Sequence, residues 1–166
     1  MTLIRALARE EYELLRDFTF LAIHVPEGEP LPPMSVVDDE VMLRQYWGGF
    51  GSQPGDVAMA AEIEGAVVGT AWSRLLTDPR GYGNVDDETP ELAIAVRPEH
   101  RGQGIGARLL TALLAALAEA GWPSLSLSVD KQNQAINLYR RAGFEPVSEN
   151  QDDYLMVAST AAMRPA

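Results

Sequence analysis

The chain has 166 residues and a mass of 18.1 kDa, with 13 Lys plus Arg against 24 Asp plus Glu and no cysteine. That length suits one domain spanning residues 1–166, since domains most often hold roughly 100–150 residues. The missing cysteine excludes disulfides, thiol nucleophiles and thiolate-held zinc or iron–sulfur clusters. The formal net charge of −11 disfavours a broad phosphate-backbone interface, so no nucleic-acid partner is expected.

Leu3 to Leu7 fits a short strand, and a helical pattern follows from about Arg9 with Leu14, Leu15, Phe18 and Leu21 on one side. The start of the chain lacks the 7–15-residue apolar core of an export signal, so a cytoplasmic location is expected. Pro26 to Pro33 holds four prolines and is a loop. A second helix is expected from Asp38 or Asp39 as N-cap through Tyr46, ended by Gly48-Gly49. Val57 to Ile63 and Ala66 to Leu76 read as a hairpin turning at Glu64-Gly65. The polar stretch Asp78 to Pro90 is a long loop of the kind that often carries function.

Glu91 to Val96 is a strand stopped by Pro98. Gly104 to Ala120 is a helix whose Ile105, Leu109, Leu113 and Leu117 recur at i+4, with Gly121 and Pro123 ending it. Its most apolar run, Leu109 to Ala118, is far short of the roughly 20 residues that span a bilayer, so no membrane partner is expected. Ser124 to Val129 alternates strictly, as a half-buried strand does. A helix from about Gln132 to Ala142 and strands Phe144 to Val147 and Tyr154 to Ser159 complete the order. The result is an α/β (mixed α+β) fold on one central sheet.

The glycine-rich run Arg101-Gly-Gln-Gly-Ile-Gly106 follows a strand and opens a helix. The first N–H groups of a helix have no internal partner and carry the positive end of its dipole, so this is an anion site suited to phosphate or pyrophosphate. A Walker loop would need Gly-Lys before Ser or Thr, and Gly-Ala-Arg stands here. A dinucleotide fingerprint, Gly102-x-Gly104-x-x-Ala107 with Asp130 ending the next strand, fits in spacing. Against it, five residues, Arg97 to Arg101, separate strand from glycine where the dinucleotide turn is tight.

The run also resembles the Arg/Gln-x-x-Gly-x-Gly/Ala signature of the GNAT superfamily of N-acetyltransferases, whose loop holds the pyrophosphate of acetyl-coenzyme A. Leu92 to Arg101 is similar to that family's fourth strand and its lead-in, and Asn133-Gln-Ala-Ile-Asn-Leu-Tyr-Arg-Arg-Ala-Gly-Phe144 to its Asn-x-x-Ala-x-x-Leu-Tyr-x-x-x-Gly-Phe segment. These motifs cover Glu91 to Val147; the N-terminal half agrees in the order of its elements. The resemblance implies a central twisted mixed sheet of about six or seven strands flanked by helices. It implies acetyl-CoA as co-substrate and a small-molecule or peptide amine as acceptor, with a homodimer as the family's common assembly.

Carried over residue by residue, main-chain groups of Ile94, Ala95 and Val96 would pair with the pantetheine arm. Arg101, Gly102, Gln103, Gly104, Ile105 and Gly106 would form the pyrophosphate loop. The fifth strand would splay from the fourth to open a slot. Asn133 matches a cofactor-bonding position, with helix capping as its ordinary alternative. Tyr139 matches the tyrosine that protonates the departing thiolate, with packing against Ile136 as its alternative.

An alkylamine acceptor, with a pKa of about 10.4, needs a base. Glu91, facing away from Leu92, Ile94 and Val96, is the foremost candidate, with Asp86, Asp87, Glu88 or a water chain as alternatives. Arg97, Arg101 and Arg108 are the expected phosphate neighbours. Tyr46, Trp47 and Phe50 could line an acceptor pocket or simply pack. No metal site is expected, because His24 and His100 stand apart with no i+4 partner. The sequence supports direct transfer from thioester to amine in a ternary complex. The alternative is an acyl-CoA-binding sensor or partner module without turnover.

Overall fold

The computed structural model describes residues 1–163. Seven strands form one sheet: β1 (Leu3–Ala6), β2 (Val57–Ile63), β3 (Ala66–Arg74), β4 (Glu91–Val96), β5 (Ser124–Asp130), β6 (Glu145–Glu149) and β7 (Asp153–Ser159). Their order is β1-β2-β3-β4-β5-β7-β6. Every neighbouring pair is antiparallel except β4 and β5. Five α-helices accompany the sheet among the described residues: α1 (Leu14–Ala22), α2 (Val36–Asp39), α3 (Val41–Arg44), α4 (Ile105–Glu119) and α5 (Ala135–Arg141).

Alternation along the strands divides the core in two. Ala71, Leu92, Leu125, Leu127 and Met156 face α4, whose Leu109, Leu110, Leu113, Leu114 and Leu117 are buried against them. Ala58, Ala60, Trp72 and Ala95 face the other way, onto Leu15 and Phe18 of α1. Each fully buried leucine contributes about 1.5–3 kcal/mol, so the α4 stripe is the principal fastening of the fold. Glu91, at odd parity on β4, shares the α1 side with Ala93 and Ala95, as the spacing predicts.

The β2–β3 hairpin turns at Glu64 and Gly65, both at positive φ (50° and 81°). α4 begins at Ile105 with Gly104 as its N-cap at φ 79°, and Gly121 ends it at φ 87°. β3 stops at Arg74, two residues before the expected Leu76.

Two helices differ from expectation. The single helix expected up to Tyr46 is divided into α2 and α3 by an extended Glu40 (φ −83°, ψ 112°). In a continuous helix the Val37 carbonyl would accept from Val41, but the Trp47 indole takes it at 2.9 Å. Asp38, expected as a cap, instead pairs with Arg16 at 2.5–2.7 Å. α5 starts at Ala135 rather than Gln132, because the preceding residues are held in side-chain turns. The Gln132 amide donates to Asp130 Oδ1 (2.7 Å) and the Ala135 amide to Asn133 Oδ1 (2.9 Å).

The parallel β4–β5 ladder has a single register pair, Glu91 with Ser126, whereas β5 and β7 pair over seven residues. Beyond that pair the two strands diverge, as expected of the fourth and fifth strands.

Candidate active site

The divergence of β4 and β5 opens a cleft of about 850 Å3, lined by Ile94, Val96, the glycine loop at Arg101, Gly102 and Gly104 to Gly106, Asn133 and Tyr139. In an antiparallel pair main-chain groups alternate sides. Thr70 lies opposite Ala95, and Arg97 N donates to the Val68 carbonyl (2.8 Å), so the odd residues of β4 bond to β3. Ile94 and Val96 therefore turn their main-chain groups toward the cleft, while Ala95 gives its own to β3. The Val96 carbonyl accepts from Arg101 Nε at 2.9 Å, which folds Arg101 back over the cleft floor.

Among the described residues, the amides of Gly102 to Gly106 donate to nothing in the chain. Gly102 and Gly104 sit at φ 75° and 79°, where an L side chain is strained. At Gly106 a Cβ would stand 3.2 Å from Leu138, so its hydrogen lets α4 and α5 approach closely. The loop thus presents a row of free N–H groups at the start of a fifteen-residue helix.

Of the three arginines expected near this loop, only Arg101 lines the cleft. Arg97 lies over the Phe18 ring at 5.0 Å, and Arg108 donates to the Thr2 carbonyl at 3.0 Å. His24, His100 and Arg141 supply the remaining basic groups. Arg141 carries no motif of its own, and only the placement of α5 brings it to the cleft.

A second cavity of about 440 Å3 adjoins the first and shares Ile94, Asn133 and Tyr139 with it. Tyr139 stands at the junction. Its ring meets Phe144 edge-on at 5.9 Å, so it packs as well as facing the cavities. Burial pushes its phenol up to about 12, which keeps the hydroxyl protonated. Asn133 commits its carboxamide oxygen to the Ala135 amide in a turn ahead of α5, whose N-cap is Gln134 rather than Asn133, and this leaves its amide nitrogen.

Glu91 lies in the wall of the second cavity, 2% exposed. Its Oε1 accepts from the Tyr46 hydroxyl (2.9 Å) and the Gly83 amide (2.7 Å), and its Oε2 has no hydrogen-bond partner. Burial raises its pKa above the ordinary glutamate value, and these hydrogen bonds pull it partly back. The other acidic candidates do not line either cavity. Asp86 is held by the Glu88 amide at 2.8 Å, and Asp87 pairs with Arg80 at 3.6 Å on the surface. Of the three aromatic residues weighed for the acceptor side, Tyr46 lines the cavity. Trp47 bonds to α2, and Phe50 packs edge-on against Tyr12 at 4.8 Å.

The sequence profile of the acetyltransferase (GNAT) family matches residues 11–144, most of the described chain. The chain belongs to this GNAT family. A mycothiol acetyltransferase of Propionibacterium freudenreichii is 29% identical over 76% of the chain and 37% of its own length. An N-alpha-acetyltransferase of Sulfurisphaera tokodaii is 34% identical over 70% of the chain and 72% of its own length. The chain thus spans less than half the length of the mycothiol acetyltransferases it matches. Among solved structures, the PaiA N-acetyltransferase of Thermoplasma acidophilum in complex with coenzyme A superposes with a TM-score of 0.66 at 17% identity, covering 96% of this chain and 99% of that one. The GNAT domain of S. lividans PAT does so at 0.66 and 19%, covering 94% and 89%. These superpositions establish the GNAT fold: a mixed α/β domain with a seven-stranded, mostly antiparallel sheet between helices.

Proposed function

We propose that residues 1–166 form one acetyltransferase domain that moves an acetyl group from acetyl-CoA to an amine by direct attack in a ternary complex. The observation that carries this reading is the junction of the two cavities at Tyr139, with a phosphate-type loop at one end and a buried carboxylate at the other. The cleft fits the cofactor. It offers main-chain groups of Ile94 and Val96, beside Ala95, for an extended amide-bearing arm. It offers the free amides of Gly102, Gln103, Gly104, Ile105 and Gly106, with Arg101, for a pyrophosphate. Asn133 keeps an amide N–H for the same ligand. When bound, acetyl-CoA supplies an acyl group already activated as a thioester.

Glu91 takes the proton that the attacking amine loses as its nitrogen bonds the carbonyl carbon. A carboxylate whose pKa is raised by burial holds a proton more strongly than an exposed one, and so is the better base. Tyr139 gives its proton, or a hydrogen bond, to the sulfur as the carbon–sulfur bond breaks. The acceptor enters through the second cavity, between Tyr46, Tyr82 and the end of α1. The relative named N-alpha-acetyltransferase supports an amine acceptor, small or peptide.

Calorimetry with acetyl-CoA, NAD and ATP in parallel tests the cofactor. Micromolar binding of acetyl-CoA alone is expected, and preference for NAD or ATP would overturn the reading of the loop. Release of free thiol is then followed with an aliphatic diamine, an aminosugar and a peptide with a free N-terminal alanine. Acetyl-CoA binding without thiol release from any amine would favour the sensor alternative.

A further inference from the structure

We propose that Tyr46 is a positioning residue for Glu91: its hydroxyl holds one carboxylate oxygen and so orients the other toward the cavity. The inference rests on the assignment of Glu91 as the base. Tyr46 follows α3 and is 45 residues from Glu91 in sequence, yet its hydroxyl donates to Glu91 Oε1 at 2.9 Å. The same hydroxyl accepts from the Tyr82 amide at 2.9 Å, so its own proton is directed at the carboxylate. With the Gly83 amide on the same oxygen, Oε1 is held from two sides and Oε2 is left unengaged.

The surroundings leave this donor without a substitute. Arg74 stands directly opposite Glu91 on β3 but spends all five N–H groups elsewhere: two on Asp56 and three on the carbonyls of Gln45, Gly48 and Gly49. On β5, Ser126 is the register partner of Glu91, and its hydroxyl donates to the Gly83 carbonyl at 2.6 Å. The remaining polar and titratable groups around the cavity are Thr19 and His24 from the α1 end, Tyr82, Ser128, Asp130, Asn133, Asp153 and Tyr139. No lysine or arginine lines the cavity among the described residues. Among the described residues, Tyr46 is thus the single side chain that hydrogen-bonds Glu91.

The segment carrying Tyr46 is fixed for this task. The Trp72 indole donates to the Tyr46 carbonyl (2.8 Å), and Arg74 grips the residues on either side. The Tyr46 ring stacks on Tyr82 at 6.4 Å, with planes 8° apart. Burial and the neighbouring carboxylate raise its phenol far above its ordinary value, so the hydroxyl remains a donor at every working pH.

The test uses protein labelled with 13C at the glutamate carboxyl carbons, with Glu91→Gln to assign the Glu91 resonance. Tyr46→Phe keeps the ring and its stack and removes only the hydroxyl. It should move the Glu91 midpoint up by about one pH unit, as loss of a hydrogen bond to a charged group does. Tyr82→Phe, whose hydroxyl is not in the network, should leave the midpoint in place. In turnover with whichever amine of the panel above releases thiol fastest, Tyr46→Phe should shift the rising limb of kcat against pH by the same amount. The KM for acetyl-CoA should not change. An unmoved Glu91 midpoint in Tyr46→Phe overturns the inference. A pH profile unchanged in Glu91→Gln overturns it at its foundation, because Glu91 would then not be the base whatever the coupling between the two groups.

Discussion

Arg74 and Glu91 face each other across β3 and β4, and they do not pair. The arginine turns to Asp56, at 2.8 Å and almost completely buried with it, and to the carbonyls of the glycine-rich segment after α3. Opposite charges in register would ordinarily attract. Here the guanidinium is saturated, so the carboxylate has no cation to offset its burial, and burial raises its pKa.

Breaking the Arg74–Asp56 pair should therefore act on stability first. Asp56→Ala leaves a buried guanidinium with two unmet donors and also releases the Gly51 and Gln53 amides that Asp56 accepts. A loss of about 3–5 kcal/mol is expected, the cost of uncovering one member of a buried pair. Urea unfolding measures it; a change under 1 kcal/mol (~0.5 is usual for a surface pair) would mean the pair is no anchor.

Glu91→Gln should trade activity for stability. The folded chain holds the Glu91 proton to higher pH than the unfolded chain, because the folded pKa is raised. Stability from this group is thus greatest at low pH and falls as pH rises from the ordinary glutamate value through the folded one. The amide carries no such penalty. Urea midpoints of the two proteins should coincide near about pH 4 and separate in favour of Glu91→Gln toward neutrality. The gap should be about 1.4 kcal/mol for each pH unit by which the folded value exceeds the ordinary one.

Tyr139→Phe removes a hydroxyl without changing the ring that packs on Phe144. Turnover should fall by about 10²–10⁴-fold, the span of a general acid, while calorimetry shows acetyl-CoA affinity nearly unchanged. In the unsubstituted protein no falling limb from this phenol should appear below its pKa of about 12.

Gly81 and Gly83 separate geometry from packing within one loop. A Cβ at Gly81 would come within 2.1 Å of Glu91 Oε2, so Gly81→Ala must displace the carboxylate. A displacement of about 1 Å can cost roughly 10²-fold in rate, and thiol release should fall by that order with acetyl-CoA binding intact. A Cβ at Gly83 would meet the β5 main chain at Leu127 and Ser128 at 2.9 Å. Main chain cannot step aside, so Gly83→Ala should lower stability by about 1–3 kcal/mol.

The glycine-loop side of the site is legible in the sequence because its parts are local. A strand, a glycine loop and a helix lie within Glu91 to Glu119, and each is announced by alternation, glycine spacing or an i+4 stripe. The side around Glu91 is not. Tyr46 reaches Glu91 across 45 positions, and Arg74 reaches Asp56 across 18. No periodicity links such pairs; the sheet order makes them neighbours. The division of the expected second helix has the same origin, since the Trp47 indole competes for a carbonyl that helical pattern alone assigns to Val41.

The fan between β4 and β5 has a consequence for how this chain avoids unwanted pairing. An unpaired strand margin invites other polypeptides, and proteins usually blunt it with charge or proline. The outer margin at β6 follows that rule: it is solvent-exposed throughout and carries Glu145, Pro146 and Glu149. The inner margin is the apolar run Leu-Ala-Ile-Ala-Val, with neither device. It can dispense with them because it lies in the middle of the sheet, where β5 converges at one end and the glycine loop bounds the other. Access is restricted by shape rather than by repulsion, and what stays open is short: the Ile94 main chain and the Val96 amide, since Arg101 already holds the Val96 carbonyl.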